Sequence, residues 1–188
     1  MTVVTNKMLD LNLSQLLATA PSPFWRGYLV SFADGGRPGY GLNLGVMVEP
    51  YLSRVLTGTK TVESRFSLTR IPPYGWVGEG DVVLLKASGG PIVGLARVTA
   101  VWQAELDPTA WDIIERDYLT AIEAEPDYLA QKRSSRYATL MTISDVARLD
   151  EPVTYRRLFG AGWQVIVPRV ASSLASKLLA TSMFLLQC

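Results

Sequence analysis

The stretch Gly58-Thr59-Lys60-Thr61-Val62-Glu63-Ser64-Arg65 constrains this chain more than any other. Pro50 suits the first position of a short helix, Leu52, Val55 and Leu56 give it an apolar stripe, and Gly58 suits a C-terminal cap, where φ is often positive. Three charges then fall within six residues, from Lys60 to Arg65. A strand over Thr61–Phe66 would alternate its side chains between two faces. Val62, Ser64 and Phe66 would share one face, and Thr61, Glu63 and Arg65 the other. Lys60, at the helix-to-strand corner, would lean over the charged face. Such a strand is a suitable wall for a polar cleft.

The flanks suggest the kind of β structure this strand joins. Val46–Val48 reads as a strand, Gly80-Asp81 as part of a turn, and Val82–Leu85 as a fully buried strand. Pro91–Trp102 is long and β-rich, with Gly94 placed to permit the bend of a small barrel. Ala138–Leu149 reads as a strand bulged near Ser144-Asp145, and Gly162–Val167 as a closing strand. Phe24–Phe32 also reads as a strand. Asp34–Gly45, with five glycines and a proline, reads as a loop. It lacks the Gly-Lys-Ser/Thr and following helix of a phosphate cradle. Ile71–Trp76 is an irregular loop with two aromatics.

Three further stretches have helical spacing. Leu9, Leu13, Leu16 and Leu17 precede Pro21 and Pro23. Asp107-Pro108 caps a helix with Trp111, Ile114, Tyr118 and Ile122 on one face, ended near Pro126. Leu174, Leu178 and Leu185 lie on one side of a C-terminal helix. The two terminal helices are expected to bury each other, within one chain or across a homodimer.

The pattern Gly-x-Lys-x-x-Glu-x-Arg, after a strand and a short helix and before a Gly-Asp turn, resembles the ASCH family. The resemblance covers Gly45 to Val167 as a layout and is sharp over Val46 to Trp102. It implies an α+β fold: a PUA-like small β-barrel with flanking helices. The expected divisions are an N-terminal helix and strand extension over 1–44, the ASCH/PUA-like domain over 45–168, and a C-terminal helix over 169–188. Members of the family are linked mainly to RNA, and a few act as small hydrolases or ribonucleases. In an amidohydrolase branch that acts on acetylated cytidine, a threonine nucleophile stands where Glu63 stands here. Thr61 is near, on the same strand face, but out of register with that threonine. The branch also uses a downstream glutamate, for which Glu115 is the nearest candidate.

Composition narrows the chemistry. At 188 residues, 48% hydrophobic and 19% charged, the chain suits one domain with a real core. A net charge of +1 argues against a nonspecific binder of phosphate backbone. The absence of histidine excludes histidine triads, bases and zinc ligands. The single cysteine, Cys188, permits no internal disulfide and fits a reducing cytoplasm. No run reaches the roughly 20 apolar residues of a membrane span. Asp10 and Asn12 interrupt what would be the apolar core of a signal peptide.

Lys60, Glu63, Arg65, Tyr74 and Trp76 are therefore the candidate ligand-binding residues. Arg65 offers a planar fork for a phosphate or a base edge, Glu63 an acceptor for an amino group, and Lys60 a cation or, with a depressed pKa, a base. The ordinary alternative is a surface salt-bridge cluster. Tyr74 and Trp76 could stack on a base or simply cover one end of the barrel. Trp102 and Trp111 read as core, while Trp25 and Trp163 give no functional signal. Lys132, Arg133 and Arg136, with Arg156 and Arg157, could follow a phosphate backbone or form a solvated loop. The expected function is recognition of RNA, a nucleotide or a nucleoside, with no cofactor, metal or membrane. The rival is a hydrolase of a modified nucleoside or a metal-independent ribonuclease, with Lys60 and Glu63 catalytic. A third reading is a dimerising interaction module.

Overall fold

The computed structural model describes residues 11–33, 38–125, 127–155 and 162–170. Helix α1 (Leu13–Ala18) starts at Asn12, whose side chain accepts from the Gln15 N–H at 2.9 Å. Helix α2 (Pro23–Val30) starts at Ser22, which accepts from the Trp25 N–H, with Pro23 at its first position. This corrects the strand expected over Phe24–Phe32. Trp25, Leu29 and Phe32 are buried at a spacing of four and then three, the period of a helix. The Ser-Pro start outweighs the β-preference of the aromatic residues.

Strand β1 (Leu42–Met47) is buried throughout and begins inside the stretch expected to be loop. Helix α3 (Tyr51–Thr57) ends at Gly58, whose φ of 79° is the left-handed cap. Strands β2 (Val62–Ser67), β3 (Val82–Ala87) and β4 (Ile92–Glu105) follow. Asp107 then caps α4 (Pro108–Ile113) by accepting from the Ala110 N–H at 2.7 Å. A π-helical turn (Ile114–Tyr118) carries the chain into α5 (Leu119–Ile122). That helix closes at Glu123, with φ of 48°, before the expected stop at Pro126. The polar segment after it holds a short helix, α6 (Tyr128–Lys132). Strand β5 (Tyr137–Val153) runs beyond its expected end, and β6 (Trp163–Val167) follows. Its bulge lies where expected: Asp145 has φ of 51°, and the register slips between the Arg97–Ser144 and Leu95–Ala147 pairs.

The six strands form one curled half-barrel sheet in the order β2-β5-β4-β3-β1-β6. Among the described strands only β1 and β3 pair in parallel. One core cluster joins Val83, Leu85, Ala96, Val98, Met141 and Trp163 to Leu52 and Val55 of α3. A second joins Leu16, Trp25, Leu29 and Phe32 to Leu42, Leu84, Leu95 and Leu149. A third joins Val62 and Leu140 to Trp111, Ile114, Ile122 and Leu129. Full burial of each large side chain contributes about 1.5–3 kcal/mol. Gly94 lets α3 approach the sheet: a Cβ there would stand 2.8 Å from both Leu56 Cδ2 and the Ala147 carbonyl.

Leu16 is buried and Leu13 and Leu17 are partly so, against the second of these clusters. Leu9 and the C-terminal helix expected to pack with them lie outside the described residues. Among the described residues no helix is long and apolar enough to cross a membrane.

Candidate functional site

The corner after Gly58 turns Lys60 into the protein. Its Nζ donates to the Val62 carbonyl at 2.7 Å and the Ile122 carbonyl at 2.8 Å. Ile122 ends α5, so the ammonium also meets the negative end of a helix. Only 3% of Lys60 is exposed. That burial lowers its pKa below the ordinary 10.5; Arg65 and Arg54 act in the same sense, and Glu63 and Glu123 oppose them. Glu63 Oε2 lies 3.8 Å from Nζ, and the Tyr51 ring centroid 5.7 Å away.

Glu63 is likewise buried, and its Oε1 lies 2.7 Å from Arg65 Nε. That contact is an ion pair without the alignment of a hydrogen bond, so among the described residues the buried Nε–H has no aligned acceptor. Arg65 Nη1 donates to the Gly162 carbonyl and Nη2 to the Val46 carbonyl, each at 3.0 Å. Its guanidinium lies over the Trp163 ring, 5.4 Å from the centroid. One side chain on the β2 edge thus spans the open seam of the sheet to β1 and to the residue before β6.

These side chains converge on a cavity of about 270 Å³. Lys60, Glu63 and Arg65 line it together with Tyr51, Ser64, Tyr128 and Lys132. Tyr51 and Tyr128 face each other at 5.7 Å between centroids, tilted by 56°. Tyr128 Oη lies 3.2 Å from Ser64 Oγ, and burial pushes its phenol pKa up. Sequence reasoning missed these three partners. Parity assigned Ser64 to the apolar face, but an edge strand also opens that face to the cavity. Tyr128 lies just before Lys132, Arg133 and Arg136, and only those charges gave a signal there. Tyr51, beside the apolar stripe of α3, was legible as an aromatic next to the motif.

The other candidates are spread out. Neither Tyr74 nor Trp76 lines this cavity. Tyr74 packs edge-on against Tyr137 and borders an adjacent depression; Trp76 is half exposed. Thr61 is exposed, and Glu115 pairs with Arg133 beside a different, open cavity. Lys132 reaches the cavity and lies over the Tyr128 ring, whereas Arg133 covers Trp111 and Arg136 covers Tyr137. Trp111 is core and Trp102 packs against it half-buried. Arg156 and Arg157 lie outside the described residues. Among the described residues no group of three or more Cys, Asp or Glu side chains could hold a metal ion.

No protein-family model matches the chain, and no curated protein does. Solved structures do. An ASCH protein from Zymomonas mobilis superposes with a TM-score of 0.52 at 14% identity, over 74% of this chain and 94% of that one. A variant of the same protein gives 0.51 at 17% identity, over 77% and 98%. A second variant gives 0.51 at 14% identity, over 74% and 97%.

Proposed function

From this ASCH-like fold, we propose that the chain binds RNA or a nucleotide by taking a base into the cavity at its seam. The observation that carries the reading is the convergence of buried Lys60 and Glu63 with the Tyr51 and Tyr128 rings on one concave site. Glu63 can accept from an exocyclic amino group. Lys60 has two of its three donors on carbonyls, which leaves one for a base carbonyl or a phosphate. The phenol rings offer faces for a base. Lys132 at the rim can meet a phosphate. Arg65, held by two carbonyls, orients Glu63 and keeps a partial hand for the ligand. The family resemblance in the motif points to the same ligand class. The test is titration of the full chain with fluorescent RNA and with the four ribonucleotides. Lys60→Met should lower affinity about tenfold or more; unchanged affinity sinks the reading.

A second reading, hydrolysis of a modified nucleoside or metal-independent RNA cleavage, is favoured by the lowered pKa of Lys60 beside two hydroxyls in the same cavity. As a free amine Lys60 would accept the proton of an attacking hydroxyl. Turnover of RNA or acetylated nucleosides, measured with and without chelator, should then fall at least about 100-fold in Lys60→Met. No turnover of any of these substrates by the unaltered chain would leave the binding reading alone.

A further inference from the structure

The seam carries a second depression, of about 140 Å³, that the cavity does not include. Arg65 and Phe66 line both. Beyond them the depression is lined by Ile71, Pro73, Tyr74, Thr139 and Trp163. Its volume equals about four to five waters at roughly 30 Å³ each, room for one planar ring. The Tyr74 ring is set before any ligand arrives. It packs edge-on against Tyr137, 5.1 Å between centroids at 65°, and the adjacent Gly75 N–H donates to Gln103 Oε1 at 2.8 Å. Arg70 and Arg136 both lie over the Tyr137 ring; Arg70 is paired with Glu105, so Arg136 leaves the flank one positive charge in excess. Ile71 and Leu68 of the same loop are left 53% and 63% exposed, apolar surface beside the opening.

Resting on the RNA reading above, we propose that this depression is a second subsite, which takes the base of the nucleotide next to the one in the cavity. Arg65 is the divider. Each of its terminal nitrogens spends one N–H on a backbone carbonyl and keeps a second, while its buried Nε faces Glu63 Oε1 at 2.7 Å. Those donors stand between the two hollows, where the linking phosphate would pass. Tyr74 supplies a fixed ring face or edge for the second base, and Ile71 an apolar contact. The site recognises a dinucleotide step of single-stranded RNA, since the bases of a duplex cannot be splayed into two hollows.

The experiment compares ribonucleoside monophosphates with ribodinucleotides by calorimetric titration of the full chain. The dinucleotide should bind more tightly than the better of its two halves. Tyr74→Ala should abolish about fivefold or more of that gain, the scale of one lost base–aromatic stack. Tyr74→Phe should keep the gain. Ile71→Asp, on a side chain that is 53% exposed, should reduce it. A gain that survives both Tyr74→Ala and Ile71→Asp overturns the subsite and leaves the cavity reading intact. So does a dinucleotide that binds no better than a monophosphate. If neither monophosphate nor dinucleotide binds, the cavity reading fails and the subsite with it.

Discussion

Two buried charged sites in this molecule have opposite characters. Asp81 is fully buried, and its carboxylate accepts from the Gly41 N–H at 2.6 Å, the Gly78 N–H at 3.0 Å and Asn43 Nδ2 at 3.3 Å. It borders none of the three cavities described above. Its charge is spent on tying the start of β1 to the turn before β3. The Lys60, Glu63 and Arg65 group is also buried, but it borders a cavity, and one guanidinium nitrogen lacks an aligned acceptor. The difference teaches that burial of charge does not by itself mark a ligand site. On the binding reading proposed above, the second group differs in facing a space a ligand can enter, with Lys60 keeping one donor that no carbonyl takes.

The comparison can be broken at either side. The largest effect should come from Asp81→Ala, which strands three buried N–H donors, those of Gly41, Gly78 and Asn43 Nδ2, and should cost about 3 kcal/mol or more of stability, at about 1–3 kcal/mol per orphaned group. Denaturant unfolding reads it, and RNA affinity per folded molecule should not change. A variant as stable as the parent but weak in binding would reverse the roles assigned to the two sites.

Lys60→Met should act the other way round, with a loss of binding of about tenfold or more, about 1.4 kcal/mol. It also gives a pH test. The Lys60 pKa is lowered by burial in the folded chain. Between that lowered value and the ordinary 10.5, the unfolded chain binds more protons, so stability rises with pH across this window and is flat below it. Tyr128, whose pKa is raised, acts oppositely above its ordinary 10.0, so the comparison belongs below pH 10. Chemical unfolding across the alkaline range should show the rise in the parent and not in Lys60→Met. An equal slope in both would mean that the ammonium is not desolvated.

Arg65→Lys sharpens the contrast within the seam. Lysine keeps a charge near Glu63 but cannot reach both the Val46 and Gly162 carbonyls, so a loss of about 1–1.5 kcal/mol is expected in thermal unfolding. No loss would show that the seam is held without the guanidinium. The smallest effect should come from Tyr128→Phe, which removes only the hydroxyl shared with Ser64. The expected cost is about 0.5–1 kcal/mol, with the ring wall of the cavity retained. If its affinity fell as far as that of Lys60→Met, the hydroxyl and not the ring would be the contact.

Much of the fold was legible because its signals are local. Gly58 ends α3, Asp107 starts α4, and the bulge at Asp145 is where Ser144-Asp145 suggested it. The motif residues Lys60, Glu63 and Arg65 do line one hollow. Helix α2 was misread because aromatic and β-branched residues prefer strands in isolation, while Trp25, Leu29 and Phe32 are decided by the sheet they pack on. The stretch from Leu42 reads as loop because its glycines outvote its apolar residues, whereas it is the buried strand β1. Gly45 fits closely there: a Cβ would stand 3.2 Å from both Trp163 and Val83, which would have to give by a few tenths of an ångström.

The sequence by itself determined the order of the strands from β1 to β6, the helix-glycine-strand corner and the sign of each charge in the motif. Helix caps, periodicity and residue chemistry act over a few positions and are written in neighbouring residues. Only the tertiary structure decided that Lys60 turns inward to the end of α5 and that Arg65 bridges β2 to the opposite edge. It also decided that Tyr51 and Tyr128, not Tyr74 and Trp76, flank the cavity. Those contacts join positions far apart in the chain. They exist because the sheet curls and brings its two edges within reach of one side chain, and the alternation along a single strand carries no record of that curl.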